Sequence, residues 1–99
     1  MRRYVLTPAA REDLSEIADY IRQDNPEAAK RVVRSLKEAV EKLARTPGMG
    51  HVREDLARSS LRFWPVYSYL IIYRAETRPL LVVRILHGAR DVRRILDDD

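Results

Sequence analysis

The sequence predicts an α+β fold in the order β-α-α-β-β-β-α, a helical hairpin packed on one face of a small sheet. Three observations carry this expectation. Apolar residues in the first half recur with a helical period, at Leu14, Ile17, Ala18 and Ile21 and again from Ala29 to Leu43. The second half changes to short apolar runs of strand length, bounded by turn residues. Between the two helical segments lies only Asp24-Asn25, a break that antiparallel neighbours need. A chain of 99 residues makes one domain, residues 1–99. At this size it buries roughly two-thirds of its unfolded surface, enough for one modest core. With 45% hydrophobic and 34% charged residues it has the composition of a folded chain and not of a disordered one.

Taken in order, Tyr4-Val5-Leu6 is a short strand closed by Thr7-Pro8. Thr7 is a good helix N-cap, and Pro8 suits the first helical position because its missing N–H would have no partner there. Asn25-Pro26 repeats that punctuation and opens a second helix with Ala29, Val32, Val33, Leu36, Val40 and Leu43 on its apolar face. Opposite charges at i+4, Glu27 to Arg31, Lys37 to Glu41 and Glu38 to Lys42, lace its outer side. Thr46-Pro47-Gly48 ends it. Met49 to Ser60 reads as a loop with a short helical turn around Glu54 to Ala57. Leu61 to Val66 is a strand in which Pro65 demands an edge position or a bulge. Tyr69 to Arg74 and Leu80 to Leu86 follow, both so apolar that both of their faces should be covered. After His87-Gly88, the spacing of Val92, Ile95 and Leu96 predicts a short terminal helix before Asp97-Asp98-Asp99.

Several functions fall away on composition. Without cysteine there is no disulfide framework, thiolate nucleophile or Cys-based metal site. His51 and His87 are too few for a histidine metal centre, and no metal or other cofactor is expected. No apolar stretch approaches a membrane span, and Thr7-Pro8 interrupts the N-terminus before a signal-peptide core forms, so a cytoplasmic protein is expected. The charge is positive, +4, and carried by sixteen Arg against three Lys. Two readings of that excess stand: the planar guanidinium suits phosphates and carboxylates and hints at an anionic partner, and high-GC coding inflates Arg as well. Residues 51–96 hold nine basic and four acidic side chains, so the sheet half carries the excess.

Arg84 is the most informative position. It interrupts Leu80 to Leu86, where an unpaired charge is costly to bury, and by strand alternation shares a face with Leu80, Val82 and Leu86. Two readings stand: an Arg satisfied by a carboxylate or by chain-end carbonyls, or an Arg held on a rigid strand for phosphate, with Arg62 and Arg74 candidates to join it. His87 at the strand end could move a proton or simply hydrogen-bond locally. Tyr67, Tyr69 and Tyr73 with Phe63 and Trp64 interleave with arginines, either as core or as stacking platforms. There is no phosphate-binding Gly loop and no nucleophile elbow.

The run from Tyr4 to Leu14, then Ile17, Tyr20-Ile21 and Asn25-Pro26-Glu27-Ala28-Ala29, resembles the opening of ParE-type toxins of the RelE/ParE toxin–antitoxin superfamily. So do Thr46-Pro47-Gly48-Met49-Gly50, Arg53-Glu54-Asp55-Leu56, Leu61-Arg62, Pro65-Val66, Tyr69 to Arg74 and, most specifically, Val83-Arg84-Ile85-Leu86-His87-Gly88-Ala89-Arg90-Asp91. His51 departs from the basic residue expected after Met49-Gly50. The resemblance implies a RelE/ParE-like fold with a mainly antiparallel sheet, and a cognate ParD-like antitoxin that lays a helical segment along the toxin in a hetero-oligomer. It also implies either DNA gyrase as target, by binding inhibition, or the ribosome, by RelE-type mRNA cleavage. Cleavage would draw on Arg62, Arg84 and His87. The ending resembles the ParE type and favours gyrase, with Arg74, Arg84, His87, Arg90, Arg93 and Arg94 at the target surface. The antitoxin is expected on Leu14, Ile17, Ile21, Val33, Leu36 and Val40. A binding module of the same fold without toxicity is the third reading.

Overall fold

Both helices open where the Xaa-Pro pairs predict. In helix α1 (Pro8–Arg22), the Thr7 hydroxyl oxygen accepts from the Ala10 amide at 3.0 Å and Pro8 takes the first position. In helix α2 (Pro26–Arg45), the Asn25 side chain accepts from the Ala28 amide at 3.0 Å. The structure is a computed structural model that describes residues 3–55 and 60–98. Of the helical turn expected around Glu54 to Ala57, Glu54 and Asp55 form a turn, and the remainder lies outside the described residues.

The strands are β1 (Tyr4–Leu6), β2 (His51–Val52), β3 (Leu61–Val66), β4 (Tyr69–Arg74) and β5 (Leu80–His87). They form one sheet in the order β1-β5-β4-β3-β2, antiparallel except for the parallel pair β1 and β5. Where the sequence shows only a helix end and the start of a loop, the chain forms a 3-10 turn (Pro47–Met49) and a fifth strand, β2. Two residues are too few to show a strand period, which is why β2 is invisible in the sequence. Pro65 lies past the reach of β2, which pairs only with Arg62 and Phe63, so its missing N–H faces no strand.

The sheet is covered on both sides, as the apolar strands require. Ile71, Tyr73, Leu80, Val82 and Ile85 meet Ala10, Leu36, Val40 and Leu43 of the helical hairpin. On the opposite face Leu61, Phe63, Ile72 and Leu86 receive Val92 of the terminal helix α3 (Val92–Asp98), with Ile95 and Leu96 alongside. A register shift divides these faces. Ile71 pairs with Ile85 and Tyr73 with Val82, but Ile72 pairs with Arg84, leaving Val83 as the extra residue of a bulge. The expectation that Arg84 shares a face with Leu80, Val82 and Leu86 is therefore corrected in part: it keeps the face of Leu86 and leaves that of Leu80 and Val82. Val82 faces the helical hairpin, Leu86 faces α3, and Arg84 stands opposite Ile72.

The turn before β2 is anchored from the core. The fully buried Tyr73 hydroxyl donates to the Pro47 carbonyl at 2.6 Å and accepts from the Gly50 amide at 2.8 Å. Any Cβ at Gly50 would collide with that ring, so glycine is required there by close approach. Burial raises the Tyr73 phenol above its ordinary value of 10.0, outweighing the Gly50 amide and Arg62, which pull it down. A folded-state value above the unfolded one means that this contribution is whole below pH about 10 and is lost as pH climbs through the raised value. Tyr73→Phe should cost about 1–3 kcal/mol in urea unfolding at neutral pH, because the Gly50 N–H and Pro47 carbonyl lose a buried partner. The variant should also show a shallower loss of stability above pH about 10 than the wild type.

Candidate functional site

Arg84 and Asp13 form the most deeply set charged pair among the described residues. Asp13 lies on α1 at i+3 from Ala10, so a carboxylate sits on the helix's buried stripe. Its Oδ2 accepts from Arg84 Nε at 2.7 Å and its Oδ1 from Arg84 Nη2 at 2.9 Å, the bidentate fork geometry. The same Oδ2 also accepts from the Ile85 amide at 3.0 Å. Side-chain exposure is 14% for Arg84 and 4% for Asp13. Of the two readings of Arg84, the structure has the carboxylate-paired one. Asp13 is the structural partner that the sequence does not announce, and its one signal is an acid at i+3 from Ala10 on the buried side of α1.

The residues expected to cooperate in cleavage do not meet. Arg62 donates to the Gly50 carbonyl at 2.9 Å and pairs across the sheet with Tyr73 on the helical-hairpin face. Arg84 stands opposite Ile72, on the α3 side of the strand. His87 pairs with Tyr69, four residues along β4 from Tyr73, which separates its level from that of Arg62 by roughly 13 Å. Arg74 is farther still, at the opposite end of β4, ion-paired with Glu76 at 3.5 Å. It therefore does not share a surface with His87.

Around His87 a different constellation forms. A cavity of about 380 Å³ is lined by Glu16, Ile17, Tyr20, Tyr69, His87 and Arg90, with Asp13 and Ile85 at its floor. His87 Nδ1 accepts from the Ala89 amide at 3.0 Å, which leaves Nε2 to carry the proton of the neutral ring. Tyr69 meets the His87 ring edge-on at 5.5 Å. Burial, with a smaller contribution from Tyr20, raises the Tyr69 phenol above 10.0. Arg90, Arg93 and Arg94 are exposed at the start of and along α3, and Arg93 helps hold the Asp55 carboxyl below its ordinary value, after the larger effect of Arg53. No group of three or more His, Asp or Glu among the described residues could hold a metal.

The helical hairpin offers a second concavity, about 650 Å³, between Ala18 and Arg22 of α1 and Ala29, Val33, Arg34 and Lys37 of α2. Of the residues expected to receive the antitoxin, Val33 lines this groove. Leu36 and Val40 do not: they are 1% and 2% exposed and belong to the core, because the sheet claims that part of the α2 stripe. Leu14 and Ile17 are half-buried against the same core, and Ile21 is half-buried near the end of α1. The stripes that periodicity reveals are mostly spent on folding. No described helix is long and apolar enough to cross a membrane.

The profile of the ParE toxins of type II toxin–antitoxin systems, parDE, matches residues 4–92. The chain is 40% identical over 91 residues to the toxin RelE2 of Caulobacter vibrioides, covering 91% of this chain and 99% of that one. It is 33% identical over 94 residues to the toxin ParE1 of the same organism, covering 94% and 96% of the two chains. Against the toxin ParE1 of Mycobacterium tuberculosis the identity is 34% over 97 residues, 95% and 97% of the two. A solved chain of the chromosomal ParDE TA system from P. aeruginosa has the same fold, with a TM-score of 0.73 and 22% identity over 88% of this chain and 96% of that chain.

The buried pair makes a stability prediction. Asp13→Ala should destabilise the fold by about 3–5 kcal/mol in urea unfolding, since it strands the Arg84 charge and the Ile85 amide together. Replacing both partners, Asp13→Leu with Arg84→Met, should recover part of that loss. A double-variant loss equal to the sum of the Asp13→Leu and Arg84→Met single losses would show that the pair carries no special coupling.

Proposed function

The chain belongs to the ParE toxin family of type II toxin–antitoxin systems, and from that premise we propose that it inhibits DNA gyrase by binding it. A cognate ParD-like antitoxin holds it in check within a hetero-oligomer, in the bacterial cytoplasm. The observation that carries the gyrase reading is the separation of Arg62, Arg84 and His87. A metal-free ribonuclease must bring a base, an acid and a stabiliser of phosphorane charge to one phosphate. Here one arginine serves a backbone carbonyl, one a carboxylate, and the histidine stands at the far end of the sheet. A binding inhibitor needs only a surface, and the exposed Arg90, Arg93 and Arg94 supply charge for one.

The antitoxin reading rests on the groove between α1 and α2. It is lined by Ala18, Ala29 and Val33, with Arg22, Lys30, Arg34 and Lys37 outnumbering Glu38 and Glu41 around them, although Arg22 and Lys30 are already ion-paired with Asp19 and Glu27. An amphipathic helix with acidic flanks fits that combination. Ribosome-dependent mRNA cleavage is the second reading. It is favoured by the RelE name of the Caulobacter relative and by the cavity that gathers His87, Tyr69, Glu16 and Arg90.

Two assays run side by side test this. Purified chain should block gyrase supercoiling or accumulate gyrase cleavage complexes while leaving transcripts on ribosomes intact. Gyrase untouched at large molar excess, together with transcripts cut in a His87-dependent manner, would replace gyrase inhibition with the ribonuclease. Antitoxin association should weaken as salt rises, since part of it is steered by the basic lining of the groove.

A further inference from the structure

Resting on the gyrase reading above, we infer that the tyrosine-lined end of the molecule grips the protein target, with Tyr67 and Tyr20 as its anchors. This end is built from the tip of the β3–β4 hairpin, the last turns of α1 and the end of β5. The Gly88 amide donates to the Ser68 carbonyl at 2.8 Å, and Tyr69 pairs with His87, which ties the hairpin tip to the cavity that Tyr20 lines.

Tyr67 is where local physics and residue identity disagree. It is the first of the two residues that join β3 to β4, and its φ is 53°, in the left-handed region. Asn, Asp or Gly adopt that conformation readily, whereas a bulky side chain is strained in it. Burial does not offset the strain, because Tyr67 remains 68% exposed with one long contact, 3.4 Å from its hydroxyl to Ser35 Oγ. Neither turn chemistry nor packing accounts for a tyrosine here. A strained, exposed residue of this kind marks a surface kept for binding.

Tyr20 has the same character. It is 73% exposed, and among the described residues the other large exposed apolar side chains are Val52 and Tyr67. Beside it lies the cavity of about 380 Å³, with room for an aliphatic or aromatic anchor from a partner. Arg90, which lines that cavity, has no ion pair among the described residues and can meet a carboxylate. Glu16 lines it too, and Arg90 is the one arginine or lysine among the described residues of the lining, whereas a phosphate backbone laid across this end would need a row of cations. The chemistry thus selects a protein presenting an apolar side chain beside an acid, not a nucleic acid. Tyrosine and arginine suit such contacts because a rigid amphipathic ring gives much contact area for little lost freedom.

The surface is separate from the antitoxin groove. Ala18 and Arg22 line the groove, whereas Glu16, Ile17 and Tyr20 line the cavity. At about 100° per residue, Ala18 and Tyr20 point to opposite sides of α1.

Tyr67→Asn is the deciding variant, because it relieves the left-handed strain while removing the ring. It should unfold at the same temperature as the wild type or higher, yet need about tenfold or more of the chain for half-inhibition of gyrase supercoiling. Its affinity for the cognate antitoxin should be unchanged. Tyr20→Ala, on an exposed helix position, should repeat the loss independently. Full gyrase inhibition by both variants overturns the inference. So does a parallel loss of antitoxin affinity, which would assign this end to the antitoxin, or a wild-type dimer that Tyr67→Asn turns monomeric. A wild-type chain inert toward gyrase would instead overturn the gyrase reading. Growth arrest in cells then decides the surface, and undiminished arrest by both variants would sink it.

Discussion

The carboxylate of Asp13 holds together the parts on which everything else stands. Strand β1 covers the edge of β5 only as far as Val82, so the second half of β5 would otherwise present an open edge. Helix α1 closes it with side chains. The Thr7 hydroxyl donates to the Val83 carbonyl at 2.6 Å, and Asp13 accepts from the Ile85 amide at 3.0 Å. Thr7 meanwhile caps α1, and Asp13 meanwhile takes both arms of Arg84. One short stretch of helix therefore ends its own N-terminus, finishes the sheet and neutralises a charge in an apolar strand.

That arrangement explains the bulge. A strictly alternating β5 would leave Val83 and Leu86 on opposite faces, with Arg84 among the helix-facing residues. The extra residue at Val83 restores Ile85 to the helical core and sends both Val83 and Leu86 toward α3. Both faces of β5 become apolar, and the only charge between them is drawn to the edge where a carboxylate waits. The terminal helix can then dock by Val92, Ile95 and Leu96 on a continuous apolar surface.

Much of this was legible in the residues. Period, Xaa-Pro caps and apolar strand runs each reflect a local rule, and the structure follows them from Tyr4 to α3. What was not legible depends on contacts distant in sequence. β2 exists because Tyr73 and Arg62 pin the preceding turn, a constraint supplied 12 to 26 residues away. The face of Arg84 depends on a bulge, which periodicity cannot reveal because it is a break in periodicity. Leu36 and Val40 looked available for a partner because amphipathicity shows that a face is apolar without showing what covers it. The cavity at His87 escaped notice for a related reason. Its residues come from α1, β4, β5 and the turn after it, and no spacing in the sequence links them.

The arginine excess also acquires a physical meaning. Arg62, Arg74, Arg78 and Arg84, in the strands and their turns, are committed to the Gly50 carbonyl, Glu76, the Ala75 and Thr77 carbonyls, and Asp13. Arg78 and Arg84 use the guanidinium as a multivalent staple, a role the single ammonium point of lysine fills poorly. The basic balance of the sheet half thus overstates the charge it offers to a partner. Left for a partner are the exposed Arg90, Arg93 and Arg94, cations along the helical groove, and Arg3, Arg11 and Arg45 around a further concavity beside β1. These groups sit at different surfaces, the first beside the tyrosines, the second between the helices and the third beside β1. Charge divided in this way lets one small chain present more than one basic face to acidic partners.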